Sequence, residues 1–307
     1  YNADGTVVLA NGSDVNSAIT TATTNTGTLT LNGSSTVSGS VGASGALLKE
    51  INAGANGSSS TFSSDVYATN LDVEGTGTVN LNGDYTGTAI RYNADGTVVL
   101  ANGSDVNSAI TTATTNTGTL TLNGSSTVSG SVGSSGALLK EINAGVNGSS
   151  STFSSDVYAT NLDVEGTGTV NLNGDYTGTA IRYNADGTVV LANGSDVNSA
   201  ITTATTNTGT LTLNGSSTVS GSVGSSGALL KEINAGVNGS SSTFSSDVYA
   251  TNLDVEGTGT VNLNGDYTGT AIRYNADGTV VLANGSDVNS AITTATTNTG
   301  TLTLNGS

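Results

Sequence analysis

The chain holds no cysteine and no histidine, so no Cys or His zinc site is possible, and its carboxylates are the first candidates for chemistry. Asp72 and Glu74 lie two apart in Leu71-Asp-Val-Glu-Gly75, a spacing that puts both carboxylates on one face of a strand. Paired carboxylates are what glycoside hydrolysis needs, one as general acid and one as base or nucleophile. The pair returns as Asp163/Glu165 and as Asp254/Glu256. An enzyme gains little from identical copies of its centre, and a solvated strand face explains the pair as well. Calcium is the better alternative: Asn2, Asp4, Asp14 and Asp84 stand in glycine-rich turns, and oxygen donors suit that ion. Yet neither the Gly-Gly-x-Gly-x-Asp nonapeptide nor the EF-hand loop is present. Asx turns account for the same residues.

Smaller signals are equally double-edged. Asn11, Asn32 and Asn56 each open an Asn-Gly-Ser tripeptide, which is a glycosylation acceptor in form and a good turn in fact. Thr28-Leu-Thr30 has the look of an ice-binding threonine ladder, but Val8 and Asn80 occupy equivalent outward positions and break it. Lys49 and Arg91 are the bases of their segment, and Arg91 is expected to pair with Asp84 or Asp95 at the surface. The sequence therefore assigns no catalytic, cofactor-binding or metal-binding residue, and no cofactor is expected.

These features recur because the chain is one 91-residue unit copied almost without error. The copies are 1–91, 92–182 and 183–273, and a partial fourth runs from Tyr274 to Ser307. They differ at two places: Ala43 becomes Ser134 and Ser225, and Ala55 becomes Val146 and Val237. Such an array extends in one dimension, each unit packing on its neighbours. The chain starts on Tyr1 and stops after the Asn305-Gly306 turn, so it is expected to be an excerpt of a longer array.

A formal charge of −17 repels nucleic-acid phosphates and anionic lipid headgroups. No apolar run approaches the roughly 20 residues of a membrane span, so no membrane insertion by this segment is expected. Gly, Ser, Thr and Asn replace Lys and Glu as the solvated surface, a choice common in secreted bacterial β-fibres.

The elements that would position these groups are strands. Gly5-Thr-Val-Val-Leu9, Gly27-Thr-Leu-Thr-Leu31 and Gly77-Thr-Val-Asn-Leu81 alternate apolar and polar residues, and each is followed by Asn-Gly. Val7, Leu9, Leu29, Leu31, Val79 and Leu81 are the expected core. Asn-Gly is expected to supply positive φ at the turns. The next copy of the pattern starts at Gly96, so the starts fall 22, 50 and 19 residues apart. That spacing predicts a β-solenoid of roughly 20 residues per rung, with two or three rungs inside the long gap and four or five per unit. Further strands are expected in Thr36–Val41, Thr61–Ala68 and Leu71–Glu74. Two stretches, 13–25 and 45–54, have helical spacing through Val15, Ala18, Ile19 and Ala22 and through Leu47, Leu48 and Ile51. The rival architecture is a string of Ig-like β-sandwiches, one per unit.

The stretches GTLTLNGSSTVSGSVGASGALLKEINAG (27–54) and STFSSDVYATNLDVEGTGTVNLNGDYTG (60–87) resemble passenger repeats of rickettsial-type surface cell antigens, the OmpA/OmpB-like autotransporter outer-membrane proteins. The resemblance spans most of each unit. It implies a β-helical passenger displayed on the outside of a bacterium, with adhesive or protective roles and a host-cell or surface receptor as partner. The expectation is a structural, non-enzymatic surface protein: a stalk, adhesin or filament body that self-associates end to end. The alternative is a polysaccharide-binding or polysaccharide-degrading β-helix.

Overall fold

The structure is a computed structural model that describes residues 1–306. Ser307, the last residue of the fourth partial copy, lies outside the described residues. The chain forms two compact units, Tyr1–Ala144 with Ser150–Thr160 and Gly145–Ser149 with Asn161–Ser307. The division falls inside the second copy, not at a copy junction. All described regular elements are β-strands.

Within the first unit the chain coils, and each turn lays three straight segments onto the turn before it. One column of stacked residues runs Val7, Leu29, Ile51, Leu71, Ile90, Ile110, Val132. A second runs Val15, Val37, Phe62, Leu81, Leu100, Leu122. The third runs Ile19, Val41, Val66, Tyr85, Val106, Val128, Phe153. Steps range from 19 residues (Leu71 to Ile90) to 25 (Val37 to Phe62), and all of these pairings are parallel. The second unit has the same three columns. Leu211, Ile233, Leu253, Ile272 and Ile292 form one, and Val219, Phe244, Leu263, Leu282 and Leu304 another. Ile181, Ile201, Val223, Val248, Tyr267 and Val288 form the third. This is a parallel β-solenoid. A sandwich of Ig type would need antiparallel sheets.

The alternation read from the sequence sets which side chains enter the core. Leu29, Leu31, Val79 and Leu81 are fully buried and Leu9 nearly so. Val7 points inward but stays 42% exposed, because Thr6–Leu9 has a stacking neighbour on one side only. Neither stretch of helical spacing is a helix. In the second copy Val106–Thr112 is a strand burying Val106, Ser108, Ile110 and Thr112 at every second position. An i, i+4 spacing is also twice a strand's period of two, so Val15 and Ile19 fit both. Leu48–Ala53 is likewise a strand; Lys49 and Glu50 both lie half-buried between the inward Leu48 and Ile51, which mimics a helical i, i+3 step.

Each copy advances the coil by a whole number of turns plus one face. Val66–Val73 and Tyr85–Tyr92 each cross a corner and pair in two blocks, so each serves two faces. With those halves and the bridge residues Val15, Ile19 and Val41 included, one copy supplies thirteen segments. At three to a turn that is about four and a third turns of about 21 residues each. Hence Thr6–Leu9 lies on the column of Leu71 and Ile90, whereas its equivalent Thr97–Leu100 lies one face on, over Thr78–Leu81. In the second unit Thr188–Leu191 and Thr279–Leu282 are one face apart in the same way. The 50-residue gap between Gly27 and Gly77 therefore holds two and a third turns, and the Gly-Thr-x-x-Leu segments do not form a single column.

Glycines keep the corners close. A Cβ on Gly87 would stand 1.9 Å from the Ala68 carbonyl oxygen and 2.6 Å from the Tyr85 hydroxyl. That hydroxyl is itself buried, donating to the Ala68 and Ala89 carbonyls at 2.9 and 3.0 Å. Gly87→Ala is expected to lower stability by about 1–3 kcal/mol through overpacking, read from the urea midpoint. Gly45, which has open space around it and no positive φ, should accept Ala within about 0.5 kcal/mol.

Candidate functional site

The paired acids do not share a solvated face. Asp72 is buried, 4% exposed, and both of its oxygens are taken by Arg91 one turn on. Arg91 Nε donates to Oδ1 and Nη2 to Oδ2, each at 2.5 Å, the bidentate fork that guanidinium and carboxylate geometry favours. Glu50, one turn earlier, stands 3.5 Å from the same Nη2. Arg91 thus pairs with Asp72 and Glu50, not with Asp84 or Asp95, because a rung's nearest charges are on the turns above and below it. Arg182 with Asp163 and Arg273 with Asp254 repeat the fork, and Arg273 also bonds Glu232 at 3.1 Å. The carboxylate of Asp72 holds Arg91 charged beyond its ordinary range. Burial, with the Asp72 charge behind it, pushes the Tyr85 hydroxyl up. Glu74 takes a different part, accepting from Asn93 Nδ2 at 3.1 Å on the surface.

The corner acids and amides act between turns and not as local Asx turns. Asp14 Oδ1 accepts the Thr36 N–H at 2.8 Å, and Asp84 Oδ1 accepts that of Asp105 at 2.9 Å. Asn11 Oδ1 accepts from Ser34 N at 2.8 Å and Asn56 Oδ1 from Thr76 N at 3.0 Å. Each bond satisfies a backbone N–H, at a corner or on a short strand beside one, that the ladder leaves unpaired. Asp4 accepts the Gly27 N–H at 3.2 Å and binds Lys49 Nζ at 2.9 Å, and Lys49 holds its carboxyl below the usual range. Asn2, Asp4, Asp14 and Asp84 are therefore spread over the corners. Among the described residues there is no group of three or more acids, histidines or cysteines placed to hold a metal ion.

Asn-Gly works by two routes. Gly12 and Gly57 have φ of 78° and 68°, as expected of a turn. Gly33 is needed for room instead: a Cβ there would meet the Asn11 side chain at 2.5 Å. Thr28 and Thr30 stack on Glu50 and Asn52 on one side and on Thr6 and Val8 on the other, so no flat threonine array forms.

One site lay outside the sequence reading. In the second unit a groove of about 660 Å³ opens between Ser222, Ser225, Asp247, Tyr249 and Asn264. One wall is a small antiparallel hairpin, Ser225 to Ala228, where the chain leaves the coil. The signal for it was present: position 225 is one of the two at which the copies differ.

Comparison with protein-family models, with curated proteins and with solved structures returned no match. The class the geometry defines is a tandem-repeat parallel β-solenoid.

Asp72→Asn, made in one copy, should cost about 1–2 kcal/mol, below the roughly 3–5 kcal/mol of a fully buried pair because Arg91 keeps 38% exposure. Glu74→Gln should change stability by less than about 0.5 kcal/mol. Chemical denaturation of the two variants separates the buried acid from the surface one.

The lysine pairs set a pH response. Asp4, Asp95 and Asp186 are held below their ordinary values chiefly by Lys49, Lys140 and Lys231. A depressed folded pKa adds stability above the unfolded value, lost as pH falls through the folded one. Replacing the three lysines by Gln should therefore lower the melting temperature slightly at pH 7 and leave it unchanged near pH 2, which narrows the fall between about pH 5 and pH 2. An unchanged acid slope would show that the pairs carry no linkage.

Proposed function

We propose that this chain is the body of a surface fibre: a repetitive β-solenoid stalk, adhesin or filament segment on the outside of a bacterium. The observation that carries the reading is the one-face advance of near-identical copies. An enzyme's centre or a flat adhesive patch needs one constellation on one side. Here equivalent strands of successive copies lie one face apart within each unit, which suits a spacer whose length is the selected quantity. The acid pair that could have served hydrolysis is consumed in the Asp72–Arg91 fork. We read the chain as non-enzymatic on that ground.

The resemblance to rickettsial-type passenger repeats supports this reading and implies an extracellular location. In that setting the chain is extracellular, borne on the outer membrane by parts of a longer protein, and meets a host-cell or surface receptor. Further stacked turns, from the same chain or a neighbouring subunit, would extend the ladder and give end-to-end association into a filament.

A copy-number series tests the proposal. Each in-phase deletion of 91 residues should shorten the particle by about 21 Å, the stacking distance of four and a third turns. The remaining copies should stay folded, because Ile90-Arg91-Tyr92 is rebuilt at the join. An out-of-phase deletion of about half a copy should break the ladder, since unlike faces would meet. Electron microscopy reads length, and cell binding should decline gradually as avidity falls. Abrupt loss of folding or of all binding on removing one copy would defeat the spacer reading.

A further inference from the structure

The groove beside Tyr249 is built in advance of any ligand. Tyr249 follows the inward Val248 on its strand and is turned outward, half-buried. Its N–H donates to the Val223 carbonyl at 2.7 Å, which fixes it against the turn that carries the hairpin. Gly224 lets the hairpin approach: φ is +65°, and a Cβ would lie 2.2 Å from the Tyr249 carbonyl oxygen. Gly265 closes the other side, where a Cβ would meet the backbone of Ser246 and Asp247 at 2.5 Å. Asp247 is held by accepting the Asp266 N–H through Oδ1 at 3.0 Å.

The tyrosines of this chain divide by what their hydroxyls do. Tyr267 donates to the Ala250 and Ala271 carbonyls, and Tyr274 donates to Thr301. Tyr85 and Tyr92 do the same in the first unit. Among the described residues the hydroxyls of Tyr67 and Tyr249 have no such partner, and both rings are only half-buried. A half-exposed tyrosine ring whose hydroxyl is not spent on the stack is free to meet a ligand with both its face and its polar end.

We propose that this groove binds a neutral sugar of a glycan chain. The Tyr249 ring offers a flat apolar face to the C–H side of a pyranose. Asp247 can accept two hydroxyls, Asn264 can donate and accept, and Ser222 and Ser225 can do either. The groove is open and polar, and at about 660 Å³ it has room for a sugar ring lying on the surface. The ligand is neutral because the groove holds an acid and no base, in a chain of charge −17. Uronic and sialic acids would be repelled. The first copy keeps the arrangement at Gly42, with φ of +69° and a Cβ 2.2 Å from the Tyr67 carbonyl oxygen, and at the hairpin from Ala43 to Ala46. There Ala43 stands where the groove has Ser225, so one hydroxyl contact is missing. The sites are thus graded.

The test uses the whole chain and a set of neutral tetrasaccharides (cello-, malto-, manno-, xylo- and chito-), with trigalacturonic acid as the acidic probe. Saturation-transfer NMR from the tyrosine ring protons and intrinsic tyrosine fluorescence read binding. At least one neutral probe should bind at millimolar concentration. Tyr249→Ala made together with the change at its equivalents in the first and second copies, Tyr67→Ala and Tyr158→Ala, should weaken it roughly tenfold or more, equivalent to about 1.4 kcal/mol. Asp247→Asn keeps the oxygen that accepts from Asp266, and Ser225→Ala copies the first repeat; each should weaken the second-unit site by about two- to fivefold while leaving the circular dichroism unchanged. Absence of binding by every neutral probe overturns the proposal. So does binding that survives the triple tyrosine variant, or a preference for the acidic probe.

Discussion

Parallel stacking of one turn on the next is the interaction on which everything else rests. Each strand obtains its backbone hydrogen bonds from neighbours about 20 residues away in sequence, never from itself. The ladder therefore requires like geometry in every turn: straight segments of matched length and corners that close at the same place. The core follows from this. A column such as Leu71, Ile90 and Ile110 is buried because each side chain is covered by its equivalents above and below. Such a core is thin, and its apolar contacts are made one turn at a time.

The corners carry the remaining cost. Where strands end, the backbone N–H groups have no ladder partner, and they must be satisfied in another way. This chain uses Asp and Asn side chains that reach across to the next turn, as Asp14 does to Thr36 and Asn56 to Thr76. The charged residues obey the same rule. Arg91 bonds Asp72 one turn back and Lys49 bonds Asp4 two turns back, 45 residues away. Polar groups that would read as ligands or catalysts in a globular enzyme are here the side rails of the stack.

The strands were legible in the sequence, and the phase between them was not. Alternation identified Thr28–Leu31 and Thr78–Leu81, and their inward leucines and valine are buried as expected. Alternation says which way a side chain points, but not which of three faces its strand occupies. That depends on the length of every corner between, and one irregular strand such as Leu48–Ala53 is enough to move the count. The same irregularity gave the false helical spacing at 45–54. Asp72 was misread for a related reason. Its alternation with the inward Leu71 and Val73 puts it on the outer side of a strand, yet Arg91 lies directly over it and covers it. Burial by a neighbour 19 residues on leaves no trace in local periodicity. The asparagines fared better, since turns were expected at Asn11 and Asn56, though the partners lie in the next turn.

A copy of four and a third turns has a consequence for what selection can act on. With a whole number of turns per copy, equivalent residues would line one side, and a substitution retained in all copies would paint a stripe. With the extra third, the same substitution falls on different faces in successive copies of a unit, so a side of the coil cannot specialise without breaking the identity of the copies. Near-identity of sequence and sidedness of surface exclude one another in this geometry. The chain keeps the identity. The two positions at which it departs, 43 and 55 with their equivalents, leave the inward columns untouched; one is in the hairpin and the other follows a glycine of positive φ at a corner. Change is thus tolerated where the chain leaves the ladder and absent where it stacks. Of the two loops that vary, one is the hairpin beside Tyr249 and the other is the corner after Gly236.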